Sequence, residues 1–318
     1  MKASKKESMN TSEKGSVKAG KQENKKHVSY FLTLLLSYFL LITLLSCKEE
    51  GPDTANSIFD TSTPELNSFD RWLRQNYVTP YNIRMYYRLR DVETDFSYNV
   101  VPADIQKAKQ MALLLDYLWL KPYAEVAADG IHFVRANAPR VIHLVGSAEW
   151  DRGTIRLGTA EGGMKITITD VNDLIPKEIA SQYYFNTIHH EFAHILHQTK
   201  DYPREFQTIS VGNYMPAQWF NRSDEEAVRL GFVSNYAGSQ PQEDFVETFS
   251  RYITLTDAQW NAKLLQAGTS GRDKILLKLS IVKRYMKDSW GVDVDELKKV
   301  IMRSVNEIQY WDLDNLNF

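Results

Sequence analysis

A single cysteine stands in 318 residues, so no internal disulfide can brace the fold, and stability must come from the core and from whatever the chain binds. Glycine and proline are sparse, at 15 and 10 residues, too few for a low-complexity or collagen-like chain. Neither sign of charge dominates, with 38 Lys and Arg against 40 Asp and Glu. The balance shifts along the chain: residues 1–47 carry eight Lys and three Glu, a net of +5, which leaves the remainder near −7. A mildly acidic body lacks the Lys- and Arg-rich face that nucleic-acid binding requires, so no nucleic-acid partner is expected. Apolar residues are plentiful: 43% of the chain is hydrophobic and 12% aromatic. That content fills the core of one large domain or two small ones. No internal repeat is visible.

Only one long hydrophobic run occurs. Residues 2–27 are basic and polar, residues 28–46 are apolar with small polar interruptions, and Cys47 follows. A basic segment, an apolar segment and a small residue before a cut describe a secretory signal. Leu44-Leu45-Ser46-Cys47 resembles a bacterial lipobox, which implies lipidation of Cys47 and a membrane anchored through lipid. The run is long enough that an uncleaved transmembrane anchor is the alternative. Lys48-Glu49-Glu50 resembles the Lys-acidic-acidic export tag of surface lipoproteins in some Gram-negative bacteria, which implies an outer-membrane, cell-surface location. Residues 48–63 are polar, with Gly51 and Pro52, and read as a flexible tether. The expected organisation is a signal peptide over 1–47, a tether over 48–63 and one domain over 64–318.

Within that domain, Leu66 to Tyr77 has helical spacing and Thr79-Pro80-Tyr81-Asn82 is expected to end it. Ile83 to Leu89 alternates as a strand does. Residues 103–120 predict a helix closed by Pro122-Tyr123. Val141 to Val145 and Thr154 to Leu157 predict strands, and Met164 to Thr169 alternates like a half-exposed strand at a sheet edge. His132 and His143 fall in this stretch and are expected to be ordinary strand histidines. Residues 199–235 are aromatic and irregular and read as a cover over a site. Helices are expected over Glu243–Leu255, Arg272–Ser289 and Val294–Ile308, the last opened by an Asp293/Glu296 capping box. Sheet-forming segments followed by helices predict an α+β fold, with a small mixed sheet, then a site-bearing helix, then a helical C-terminal part.

Histidine is scarce, yet four of the seven lie in His189-His190-Glu191-Phe192-Ala193-His194-Ile195-Leu196-His197. This is an H-E-x-x-H pattern on a stretch whose apolar residues recur every three and four positions, from Ile179 through Phe185, Ile188 and Phe192 to Leu196. Four residues apart on a helix, His190 and His194 share a face and can bind one tetrahedral Zn²⁺ at roughly 2.0–2.1 Å per nitrogen. Glu191 lies about 100° around the helix, where it serves as a general base rather than a ligand. Such polar residues are costly to bury without a partner, and a metal is the usual one.

A catalytic zinc needs a third protein ligand. The longer pattern H-E-x-x-H-x-x-G-x-x-H fails, because His197 stands where Gly should be and Lys200 where His should be. His197 lies one turn on from His194 and is expected to pack or to bond a ligand histidine. Glu243 and Glu247 are better placed, four apart and interleaved with Phe245 and Phe249. One of them can bind zinc while the other holds a ligand histidine by its second nitrogen.

Gln242-Glu243-Asp244-Phe245-Val246-Glu247-Thr248-Phe249 resembles the E-x-F-x-E-x-F helix of gluzincins of the anthrax lethal factor type. The resemblance implies a zincin-like fold with Glu243 as third ligand and Glu247 behind a histidine. It also implies that Tyr236, seven residues before Glu243, assists catalysis at the oxyanion or the leaving group. Most of residues 65–290 resemble a narrower family, the substrate import-associated zinc metallohydrolase lipoproteins. The matching stretches are Trp72 with Tyr81-Asn82-Ile83, Gly158 to Gly163, His190 to His194, and Glu243 to Phe249. That resemblance implies a zinc-dependent metallopeptidase acting on a peptide or protein substrate, beside TonB-dependent nutrient importers. The alternative is a non-catalytic zinc-binding accessory lipoprotein of such an importer.

Overall fold

The computed structural model describes residues 30–31, 33–38, 65–90, 98–151, 154–156, 158–161, 163–175, 184–316 and 318. The chain divides into two compact units, Met1–Pro64 and Glu65–Phe318. In the first, residues 30–31 and 33–38 are helical and exposed. Among the described residues no helix is long and apolar enough to cross a membrane. The expected signal cleavage, lipidation at Cys47 and the 48–63 tether lie outside the described residues.

The second unit opens with α1, Ser68–Leu73, started by a reciprocal cap. Asn67 accepts from the Asp70 N–H at 2.7 Å and the Asp70 carboxylate accepts from the Asn67 N–H at 3.2 Å, which satisfies two otherwise unpaired donors. The helix does not end at Pro80. A wide π turn at Arg74–Val78 leads into a last helical turn, Thr79–Tyr81, and Asn82 closes it in the left-handed conformation at φ 59°. The same device recurs in α2, Ile105–Leu115, which runs through a wide turn at Asp116–Leu120 into α3, Lys121–Val126. Each proline follows a wide turn directly, in the first turn of the next helical segment, where its missing N–H is tolerated. The Thr79–Asn82 stretch was expected to end the first helix and does, at Asn82; Pro122-Tyr123 was expected to close the second, which instead runs on to Val126. Then come β1, Arg84–Tyr86, earlier in the chain, and α4, Ile131–Asn137. His132 therefore sits on a helix rather than a strand.

The remaining strands are β2 (Val141–Leu144), β3 (Glu149–Asp151), β4 (Thr154–Arg156), β5 (Gly158–Glu161) and β6 (Lys165–Ile168). One mixed sheet has the order β1-β2-β6-β5, parallel except for the β5–β6 pair, while β3 and β4 form a separate hairpin. The Met164–Thr169 segment is thus interior, with Ile142 opposite Ile166 on one side and Ala160 on the other. Its edge assignment is corrected because Thr167 and Thr169 are buried along with Ile166 and Ile168. Both faces are covered, so alternation did not signal exposure, and among the described strands β1 and β5 are the sheet's edges.

After the sheet come α5 (Tyr184–Thr199), α6 (Asp224–Leu230), α7 (Pro241–Thr254), α8 (Asp257–Gln266), α9 (Gly268–Trp290) and α10 (Val294–Ile308). Asp293 caps α10 by accepting from the Asp295 and Glu296 N–H groups, while the Glu296 side chain pairs with Lys299 at 2.6 Å. The α+β class holds, although helices also precede and interrupt the strands. Helix α5 lies between the β5 edge and α7, and α7 packs in turn on α9 and α10. The main core joins sheet residues Ile142 and Ile166 to Trp119, Tyr123, Phe192 and Phe245, and a smaller one gathers Phe232, Trp260 and Ile275 around α6, α8 and α9.

Candidate metal centre

Helix α5 is held by one apolar stripe. Phe185, Ile188, Phe192, Ile195 and Leu196 are all buried, and Phe192 meets Trp119, Tyr123 and Phe133 edge-on at ring distances of 5.5, 5.0 and 6.1 Å. This fixes the rotation of the helix and turns His190 and His194 toward α7. On α7, Phe245 and Phe249 are buried in the main core, and Glu243 and Glu247 fall on the side that faces α5. The two helices thereby bring His190 Nε2, His194 Nε2 and Glu243 Oε2 to 3.1 Å from one another in all three pairs. These are the residues among those described whose ligand atoms gather closely enough to hold a metal ion. Bonds of roughly 2.0–2.1 Å in tetrahedral directions place ligand atoms about 3.3 Å apart, so the triangle fits one zinc.

The far side of each imidazole supports the same fit. His190 Nδ1 donates to Glu247 Oε1 at 2.9 Å. Glu247 is buried and accepts three further bonds, from Ser234 Oγ at 2.6 Å, Arg251 Nε at 3.1 Å and Asn186 Nδ2 at 3.3 Å. His194 Nδ1 lies 2.9 Å from His197 Nε2. Burial and the neighbouring His194 pull His197 down to about 4, so it is neutral and can accept. With both Nδ1 atoms donating, both Nε2 lone pairs point at the Glu243 carboxylate. Three electron-rich atoms aimed at one point call for a cation.

Without a metal, a proton fills that need. Burial opposes charge on His190, but the bonds to Glu243 and Glu247 outweigh it and lift the ring to about 10. Glu243 and Glu247 move the other way: burial would raise them, and the adjacent histidines, with Arg251 for Glu247, hold both well below the usual carboxylate range. Tyr236 opens a short 3₁₀ turn, Tyr236–Gly238. Its ring lies 5.8 Å from that of His190, and its hydroxyl bonds Glu243; burial and then that charge push its pKa far up. Glu191 is half-buried and close enough to His190 and Tyr236 to act on both through its charge. His189, on the opposite side of α5, is buried against Phe185 and bonds Tyr123 Oη at 3.1 Å.

The aromatic segment 199–235 is only partly a cover. Tyr202 and Phe206 pack on Phe245 at 4.4 and 5.1 Å and belong to the core, whereas Trp219 leans on Tyr236 at 5.0 Å. One feature was missed from the sequence. Asp244, next to Glu243, forms a fully buried ion pair with Lys278 on α9 at 2.6 Å, and both side chains are 0% exposed. Lys278 also donates to the Gly231 carbonyl at 2.7 Å, and Tyr214 Oη donates to Asp244 at 2.8 Å. The network ties the Glu243 turn to α6 and α9. Its signal was a lysine lying in the Ile275, Leu279, Val282 stripe of α9.

A family model described as "Putative zinc-binding metallo-peptidase" matches residues 62–295. A crystal structure from Bacteroides caccae ATCC 43185, also described as "a putative zinc-binding metallo-peptidase", is 49% identical. The match covers 82% of this chain and 100% of that one, with a TM-score of 0.70. Among curated proteins nothing matches.

Proposed function

The chain belongs to this family of zinc-binding metallopeptidases, and on that premise we propose that it hydrolyses peptide bonds at the cell surface, held there by lipid. His190, His194 and Glu243 would hold the zinc. When bound, zinc supplies Lewis acidity, polarising a carbonyl oxygen and lowering the pKa of water toward ~7. Glu191 accepts the proton of the attacking water and returns it to the leaving nitrogen. Tyr236, kept protonated by burial and by Glu243, donates a hydrogen bond to the carbonyl oxygen as charge builds on it. Glu247 and His197 keep both imidazoles in the tautomer and rotation that ligation needs. The β5 edge, beside α5, is where an extended peptide would add as a further strand.

The observation that carries this reading is the 3.1 Å triangle of His190, His194 and Glu243, with an acceptor behind each histidine. A broad peptide-library digest with the zinc-loaded protein tests it. Cleavage that a chelator abolishes and zinc restores is expected; a zinc-loaded protein that cuts no peptide favours the non-catalytic accessory role. The anchoring half of the proposal rests on Leu44–Cys47 and Lys48-Glu49-Glu50, and association with a TonB-dependent importer rests on the family resemblance. Lipidation at Cys47 anchors the protein in the outer membrane, and Lys48-Glu49-Glu50 directs it outward. Cys47→Ser is expected to abolish acyl labelling and membrane fractionation; a variant that still fractionates with acylated outer-membrane protein contradicts it.

A further inference from the structure

Two large aromatic side chains, Trp219 and Phe220, serve neither hydrophobic core cluster. Trp219 is half-buried and Phe220 is 58% exposed. They extend a line of rings that begins at the metal site. His190 meets Tyr236 at 5.8 Å, Tyr236 meets Trp219 at 5.0 Å, and Trp219 meets Phe220 at 5.9 Å. The histidine at one end is buried, the two middle rings are half-buried and the phenylalanine at the other end faces solvent. The rings therefore form a wall from the candidate metal centre to the surface, on the Tyr236 side.

The wall is fixed in place rather than loosely hung. The Met215 N–H donates to the Gly238 carbonyl at 2.8 Å, and Asn235 Nδ2 donates to the Arg222 carbonyl at 3.3 Å. Both ends of the segment are thus stitched to the turn that carries Tyr236. Arg222 is buried against that turn: a Cβ built on Gly238 would come within 2.8 Å of Arg222 Nη1. Only glycine at 238 lets the guanidinium lie so close. Exposed aromatic surface of this size, preorganised beside a reactive centre, is the composition of a recognition pocket for an apolar group.

We infer that Trp219 and Phe220 form a specificity subsite for an aromatic or large apolar side chain of the peptide, adjacent to the scissile bond on the Tyr236 side. The inference rests on the peptidase reading of the same site and names its substrate class. Trp219 supplies a rigid contact at low entropic cost and Phe220 closes the outer rim. The backbone bonds to Gly238 and Arg222 couple the subsite to Tyr236, so a side chain seated there is presented to the reacting groups.

The test uses binding, which does not depend on turnover. Acetohydroxamate and 3-phenylpropionohydroxamate share one zinc-chelating group and differ in the apolar arm. Their dissociation constants are measured on the zinc-loaded wild type, Trp219→Ala and Phe220→Ser. The wild type is expected to favour the phenyl compound at least about tenfold, the gain from burying roughly 55 Å² of apolar surface at ~25 cal/mol per Å². Each variant is expected to lose most of that preference and to bind acetohydroxamate within about twofold of wild type, since the metal ligands are untouched. Phe220 is exposed, so Phe220→Ser keeps the fold and remains decisive even if Trp219→Ala does not. A wild type that fails to discriminate, whether it binds both probes or neither, overturns the inference, as does a preference unchanged in the variants. Discrimination that is lost in the variants, with no peptide cleaved in the library, upholds the subsite and refutes the peptidase reading instead.

Discussion

Glu247 offers the sharpest view of how the protein prepares its metal site. It touches no ligand atom position, yet it accepts four hydrogen bonds, from His190, Ser234, Asn186 and Arg251. Glu247→Ala removes the acceptor that holds the His190 Nδ1 proton and frees the ring to rotate or to change tautomer. Losing such a partner weakens metal binding by about 10–100-fold, or roughly 1.4–2.7 kcal/mol. The same change strands buried donors. With Ser234 free to turn elsewhere and Arg251 partly exposed to water, His190 and Asn186 are left unpaired at about 1–3 kcal/mol each, so a loss of roughly 2–6 kcal/mol in stability follows. Glu247→Gln keeps an acceptor for His190 but not the charge, so its zinc affinity should fall between wild type and Glu247→Ala. Competition against a chromophoric chelator reads affinity, and thermal melting of the metal-free protein reads stability. A folded Glu247→Ala variant with wild-type zinc affinity would refute the claim that this carboxylate orients His190. Glu243→Ala should weaken zinc more than either, because it removes an atom of the triangle itself.

Other consequences follow from the same packing. Lys278→Met leaves the buried Asp244 carboxylate without its cation, at about 3–5 kcal/mol, so the melting temperature should fall by roughly 8–15 °C. Adding Asp244→Asn should recover part of that loss, and a single variant that melts like wild type contradicts the role given to the pair. His189 is buried and held down to about 3, against about 6.5 when unfolded. The unfolded chain thus binds more protons as pH falls from ~6.5 toward 3, and stability drops by up to ~1.4 kcal/mol per pH unit across that window. His189→Gln does not titrate, so its acid limb should be flatter than wild type; parallel limbs in denaturant titrations would show that His189 is not the source.

Much of this arrangement was legible in the sequence where periodicity and chemistry coincide. The stripe from Phe185 to Leu196 announced a buried helix, and the His190/His194 spacing put both rings on one face of it. Glu243 and Glu247, interleaved with Phe245 and Phe249, pointed the same way, and the structure brings α7 to α5. What stayed hidden depends on neighbours that a linear pattern does not carry. The threonines of β6 look solvent-facing until β2 and β5 flank the strand and both of its faces are covered. Pro122 looks like a helix stop because nothing in the sequence reveals the wide turn that precedes it. Lys278 stands out in the apolar stripe of α9, but the pattern does not name its partner, Asp244, 34 positions earlier. Trp219 and Phe220 read as generic cover, and only the contact with Tyr236 ties them to the site.

The most direct measurement is zinc content and peptide turnover in Glu191→Gln, side by side with Tyr236→Phe. Neither change removes an atom of the His190–His194–Glu243 triangle. Losing a general base costs about 10²–10⁴ in rate and losing an oxyanion donor about 10²–10³. Two folded variants are expected, each keeping about one zinc per chain and cleaving the best library peptide at least ~100-fold more slowly than wild type. A zinc-loaded Glu191→Gln variant that turns over at the wild-type rate would contradict the role given to Glu191.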